Sequence, residues 1–517
     1  VHGRNRSLPL ALALALACTA KPPPPGLGQR RAAAPARSLR ATADGAWLAF
    51  LDGCADARAQ GLPPGTASCD LRVVAAAGGD VAKVAGAVST LPGAIAVSPR
   101  GAELAALGEY DYAITSGTLV RWRAGGGATK LASGVTFHGY GPDGTLGYVA
   151  GGELWLAPPG GEPAKVAGVA GAATFELAAP GGGLAALVRR RATAGGELLA
   201  VPAASGGAFP AAVVVAGPVG DYAFGRGKQY AFTRIASGGA QLELCEARPA
   251  ARPAVQGKGV GAFAFGPEDD ALAFVADVVP GKQGNLYLRT GGAAAQLARE
   301  VGVFRWAARA PRLAWLEEYY APVSAGTLAV GGPGLPRRTL AKNVSDLELS
   351  PDGTYVAFLQ HSTRGGYSVD LVLAAVDGGS GAAPEASRRI ATAAYGFAFS
   401  PDGRWLYYRT RCTRSGEACD LERVDPAQPA AKPELVTEGV KSFEFAPGAS
   451  GRLLVSWKRV DRDLLDLAVW EQGALAKVDT HALPGSASFV GPEARRIAYV
   501  VVDDKRGGVY VADLPAR

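Results

Sequence analysis

Histidine is scarce in this 517-residue sequence: there are four, and one of them is His2. His138, His361 and His481 lie far apart in the chain, so neither a metal site built from all three nor a histidine-centred acid–base pair is expected. The usual catalytic signatures are missing too. There is no H-E-x-x-H, C-x-x-C, P-loop or G-x-S-x-G elbow, which removes the chemistries those motifs carry. "GRGKQY" (225–230) has a Gly-Lys pair without the following Ser/Thr, and "GKGVGAFAFG" (257–266) leads into a strand pattern where a dinucleotide site needs a helix. "DRDLLD" (461–466) lacks the glycine and distal glutamate of a calcium loop. Lys and Arg form no block despite a formal net charge of +7, so nucleic acid is not an expected partner. No cofactor is expected, and no apolar run is long enough to span a bilayer.

What the chain has in plenty is glycine, 71 residues, and proline, 36, which are residues of tight turns. The N-terminus has the layout of an export signal: basic Arg4 and Arg6, a Leu/Ala run from Leu8 to Ala17 that is too short to cross a membrane, then Cys18. Residues 1–17 are expected to be a signal peptide. Cys18 resembles the lipidated cysteine of bacterial lipoproteins, although Ala15 stands where such signals favour leucine; ordinary cleavage after Ala15-Leu16-Ala17 is the alternative. The Pro/Ala-rich stretch to residue 37 suits a tether. The localisation that follows is exported, as a periplasmic or outer-membrane-anchored lipoprotein touching the membrane only through its acyl anchor, or else as a soluble secreted protein.

One unit recurs along the rest of the chain. "FAFSPDGRWLYYRTR" (397–411) and "LELSPDGTYVAFLQH" (347–361) are the same pattern, with weaker copies at 95–109, 138–151, 263–277 and 443–457 and degenerate ones at 39–52, 175–189, 221–234, 303–317 and 487–501. Each copy parses into a short apolar strand, a Pro-Asp-Gly turn, a second apolar strand, a variable loop, a third strand that opens polar-Leu ("DLVLAAVDGG", "NLYLRTGG"), and a more polar fourth. Four antiparallel strands repeating about every 45 residues predict an all-β chain of β-propeller blades, about eleven of them. Propellers of four to eight blades are typical, so two rings are expected, residues 38–259 with about five blades and 260–517 with about six. One unusually large ring is the alternative. The last copy, ending in "GVYVADLPAR", lacks a fourth strand, and the segment just before Ser38 is placed to supply it.

These "SPDG" strand-turn-strand units resemble the WD-like repeats of the TolB-type propellers of bacterial periplasmic and secreted proteins. The same repeats occur in tricorn-type proteases and in the propellers of prolyl-peptidase relatives. The resemblance implies a blade and no particular activity.

The second-to-third-strand loops are expected on one face of the ring, and they collect charge and aromatics. Candidate partner-binding residues there are Tyr110, Tyr112, Arg190, Glu317, Glu318, Tyr319, Tyr320, Arg364, Tyr367, Arg411, Arg414 and Arg462, since Tyr and Arg are enriched at binding hot spots. The expected function is non-catalytic: a cell-envelope scaffold that presents this face to a protein or peptidoglycan-associated partner. The alternatives are a propeller-fold polysaccharide lyase or hydrolase, which would gather Asp/Glu with Tyr or Arg at the channel mouth, and a carbohydrate-binding surface protein. Two loops carry a cysteine pair, Cys54 with Cys69 and Cys412 with Cys419, and in an exported chain each is expected to be a disulfide. Zinc or a redox role at Cys412 and Cys419 is the alternative. Cys245 is expected to be unpaired and buried.

Overall fold

The turn that marks the repeat explains how each unit begins. At Ser400-Pro401-Asp402-Gly403 the Ser400 hydroxyl donates to Asp402 Oδ1 (2.5 Å) and accepts from the Trp405 amide (2.9 Å), and Asp402 Oδ1 accepts from the Arg404 amide (3.1 Å). Gly403 closes the turn onto the Ser400 carbonyl at φ +80°, a conformation that favours glycine. Ser350, Asp352 and Gly353 repeat this bonding, and so do Thr42, Asp44 and Gly45 in the degenerate first copy.

The structure, a computed structural model, describes residues 28–514 except 57–65, 179–183, 191–195, 202–208, 210–211, 226–228, 236–241, 248–253, 268–270, 280, 362–368, 378–386, 429–430, 449–450 and 460–462. Within them the fold is all-β and propeller-like, with a single 3-10 turn and no α-helix. Its strands form three four-stranded sheets, three seven-stranded sheets and one eight-stranded sheet. The larger sheets arise because an outer strand runs straight on into the inner strand of the next unit, as Gly127–Tyr140, Val213–Phe224 and Leu335–Leu349 do.

The eight-stranded sheet joins the two ends of the chain. Gly28–Ala32 pairs antiparallel with Gly508–Asp513, setting Gly28 opposite Ala512 and Arg30 opposite Tyr510, and Arg30 donates to the Gly507 carbonyl (2.5 Å). This is the fourth strand that the last copy lacks. Residues 28–32, counted with the tether on composition, are therefore part of a sheet. Residues 1–27, with Cys18, lie outside the described residues.

Burial follows the alternation of the strands. Among the described residues eleven apolar clusters form, each between one four-stranded unit and the next. Leu51 and Leu71 of the first unit pack with Leu104 and Trp122 of the second. Ala231 and Leu244 pack with Val260, Leu272 and Phe274. Leu39 and Phe50 of the first unit pack with Val490, Val500 and Val511 of the last. A lone four-stranded sheet leaves both faces wet, and this face-to-face packing removes them from water.

Candidate functional site: the loop end of the units

Strands alternate in direction, so the loop from second to third strand emerges at the same end of each unit as the link from outer strand to next inner strand. Both sequence-predicted disulfides lie at that end: Cys54–Cys69 and Cys412–Cys419 are bonded. Cys245 is free and buried.

Several loops here start with a non-glycine residue at positive φ: Glu109 (+48°), Asp277 (+59°), Glu318 (+50°) and Arg411 (+46°). The left-handed residue bends the loop and turns its own side chain back onto the third strand. Glu109 accepts from Thr118 (2.8 Å), Glu318 accepts from Thr327 (2.9 Å), and Asp277 accepts from Asn285 (3.2 Å) and Tyr287 (2.5 Å). Arg411 donates to Asp420 (2.7 Å) and Glu422 (2.6 Å).

Of the eight candidate binding residues whose side chains are described, six make contacts within the fold. The Tyr112 hydroxyl donates to the Ala67 carbonyl (2.8 Å) and is hydrogen-bonded to the Ser89 hydroxyl (2.9 Å) of the preceding unit, and its ring packs edge-to-face on Tyr110 with ring centroids 4.9 Å apart. Burial and the neighbouring Tyr112 raise the Tyr110 phenol. Glu317 is buried against the Trp315 indole, which donates to it (3.2 Å), and is ion-paired with Arg337. Tyr319 lies against Gly302, where any Cβ would collide with its ring. Arg414 and Tyr320 are exposed, Tyr320 by 62 %. The backbone of Arg190 pairs with Ala172, but its side chain lies outside the described residues, as do Arg364, Tyr367 and Arg462.

What the sequence did not single out is the apolar content of this end. Leu91, Ile114 (64 % exposed), Val279, Val323, Tyr395 and Val502 stand in these loops and links beside Tyr320. The same end holds a cleft of about 550 Å³ at the junction of the chain's two ends, lined by Arg30, Pro35, Arg37, Leu483, Val502 and Lys505 among others.

Two clusters of polar and aromatic side chains lie elsewhere. On adjoining inner strands Tyr222 donates to Glu176 (2.5 Å), and Arg189 stands 3.5 Å from the same carboxylate. Burial, then the Glu176 contact, pushes the Tyr222 phenol far up and keeps it neutral. One carboxylate already bonded on both oxygens offers no second acid–base partner, so the trio acts as a cross-link between units. At the turn end, a cleft of about 440 Å³ holds the Arg423 guanidinium between the Trp405 ring (3.8 Å) and the Trp470 ring (4.3 Å). Arg423 is also ion-paired with Glu434 (2.7 Å), so its charge is satisfied within the fold.

The fold and its loop end define an all-β, propeller-like protein. No protein-family model and no curated protein matches the chain. Solved structures do. The crystal structure of a eukaryotic initiation factor matches with 13 % identity over 78 % of this chain and 89 % of that one, at a TM-score of 0.40. The oligogalacturonate lyase of Vibrio parahaemolyticus matches with 13 % identity over 56 % of this chain and 87 % of that one (TM-score 0.31). The tricorn protease matches with 11 % identity over 93 % of this chain and 57 % of that one (TM-score 0.23).

Proposed function

We propose that this chain is a non-catalytic, TolB-like binding protein of the bacterial cell envelope, which presents the loop end of one closed ring to a protein partner. The observation that carries the reading is the make-up of that end: charged groups tied back into the fold, and apolar side chains such as Ile114, Tyr320 and Val323 left standing in water. Exposed apolar and aromatic side chains of this kind are what protein interfaces bury at their centres.

The packing supports a single ring of eleven blades in place of two rings divided at 259/260. The cluster of Leu244, Val260 and Leu272 spans that division, and the cluster of Phe50, Val490 and Val511 joins last unit to first. The disulfides fit an oxidising compartment, which in turn fits export by the N-terminal signal and lipidation at Cys18.

The test is site-specific photocrosslinking in the native envelope. A crosslinker at Ile114 and one at Tyr320 are expected to capture the same protein, while one at Arg404 on the opposite end captures none. Capture from Arg404 alone, or from none of the three, overturns the reading.

A further inference from the structure

The fourth strand of each unit is an open sheet edge, with backbone N–H and C=O groups free to pair with another strand. Proteins blunt such edges with charge. Among the described residues every outer strand but one carries at least one charged side chain: Lys83, Lys130 and Lys165 in the first three units, then Lys258, Arg299, Arg337, Arg388, Glu434 and Lys477, and Arg30 in the closing strand. The exception is the outer part of Val213–Phe224, residues 213–219, which reads VVVAGPV. Val213 and Val214 are 55 % and 60 % exposed, and Val255 stands exposed on the next unit's outer strand. Leu198, Leu199 and Ala200 pair the inner side of this strand, and no described strand pairs its outer side. Pro218 has no N–H to offer, so the open run ends at Gly217.

We propose that this edge is a self-association site, at which a second copy of the chain adds the same strand antiparallel about a twofold axis. Such an interface sets each residue against a symmetry-related partner from the same short segment, so every cross-strand pair is made of valine, alanine or glycine. The same operation on Arg388–Ala391 or on Glu434–Val440 carries two arginines or two glutamates from each copy into the interface, which costs stability. Among the described outer strands, only this edge carries no charged side chain into such an interface.

Sedimentation velocity on the full chain over a concentration series tests it, with hydrogen exchange of the 213–217 amides as a second readout. The native chain is expected to show a concentration-dependent dimer with slowed exchange in that run. Val214→Lys should weaken dimerisation by at least about tenfold by carrying a charge from each copy into the interface, and Val81→Lys, at another exposed valine, should not. A native chain that stays monomeric at every concentration overturns the proposal. So does a dimer unchanged by Val214→Lys, or one whose protection lies elsewhere.

Discussion

Gly28 lies against the hydroxyl of Tyr499, so close that a Cβ on Gly28 would sit 1.7 Å from that oxygen. The same hydroxyl donates to Asp479 (2.9 Å), whose carboxylate also takes the Arg506 guanidinium (2.9 Å). A side chain at Gly28 therefore disturbs both the pairing of the chain ends and a buried polar network. Gly28→Val is expected to cost about 1–3 kcal/mol by overpacking. Gly292→Ala, with nothing within 4 Å, should change the urea midpoint little. Comparing the two midpoints is the check.

Glu317 was expected to face a partner and is instead buried between Trp315 and Arg337. Glu317→Ala strands the indole N–H and should cost roughly 1–3 kcal/mol. Photocrosslinking from Tyr320 should survive the substitution, since the two side chains have separate tasks. Loss of capture with stability retained would put Glu317 back on the binding surface.

The Cys412–Cys419 bond closes a short loop, and its removal should destabilise by roughly 2–3 kcal/mol through unfolded-state entropy. Urea titrations of Cys412→Ala/Cys419→Ala with and without reductant separate the two bonds. Reductant should lower the variant's midpoint further, through Cys54–Cys69.

Two buried groups give stability opposite dependences on pH. Burial, then the nearby Asp346 charge, raises the Glu348 carboxyl to about 7 against its hydrogen bond from the Phe399 amide. The folded state then holds a proton that the unfolded state gives up near 4.5, so this contribution is present below about 4.5 and lost as pH rises through about 7. Burial lowers His138 to about 4, so its contribution is present above about 6.5 and lost as pH falls towards about 4. Glu348→Gln should steepen the acid loss of stability, and His138→Gln should flatten it. Thermal melts from pH 4 to 8 read both slopes.

The repeat was legible wherever its turn chemistry was. Ser350-Pro351-Asp352-Gly353 and its copy at residue 400 announce a strand, a turn and a second strand, and both form as read. The cysteine pairs were legible for a similar reason: each flanks one hairpin loop. The contacts of the loop residues were not. Charge at a hairpin tip reads as charge offered to solvent, and nothing in the letters of Glu109, Glu318 or Arg411 reveals a left-handed backbone that turns the side chain inward. The continuous strands Gly127–Tyr140 and Leu335–Leu349 were hidden too, because a bulge that moves a strand from one unit to the next leaves no break in the sequence pattern.

The pairing of Gly28–Ala32 with Gly508–Asp513 sets an order of assembly. The first of these strands is synthesised long before its partner, so its sheet edge waits until residues 508–513 have been made. A contact of such long sequence range closes late in folding. An incomplete chain keeps an unpaired edge that degradation or aggregation can act on. The closure is thereby a checkpoint, built into the molecule, for synthesis as far as residue 513.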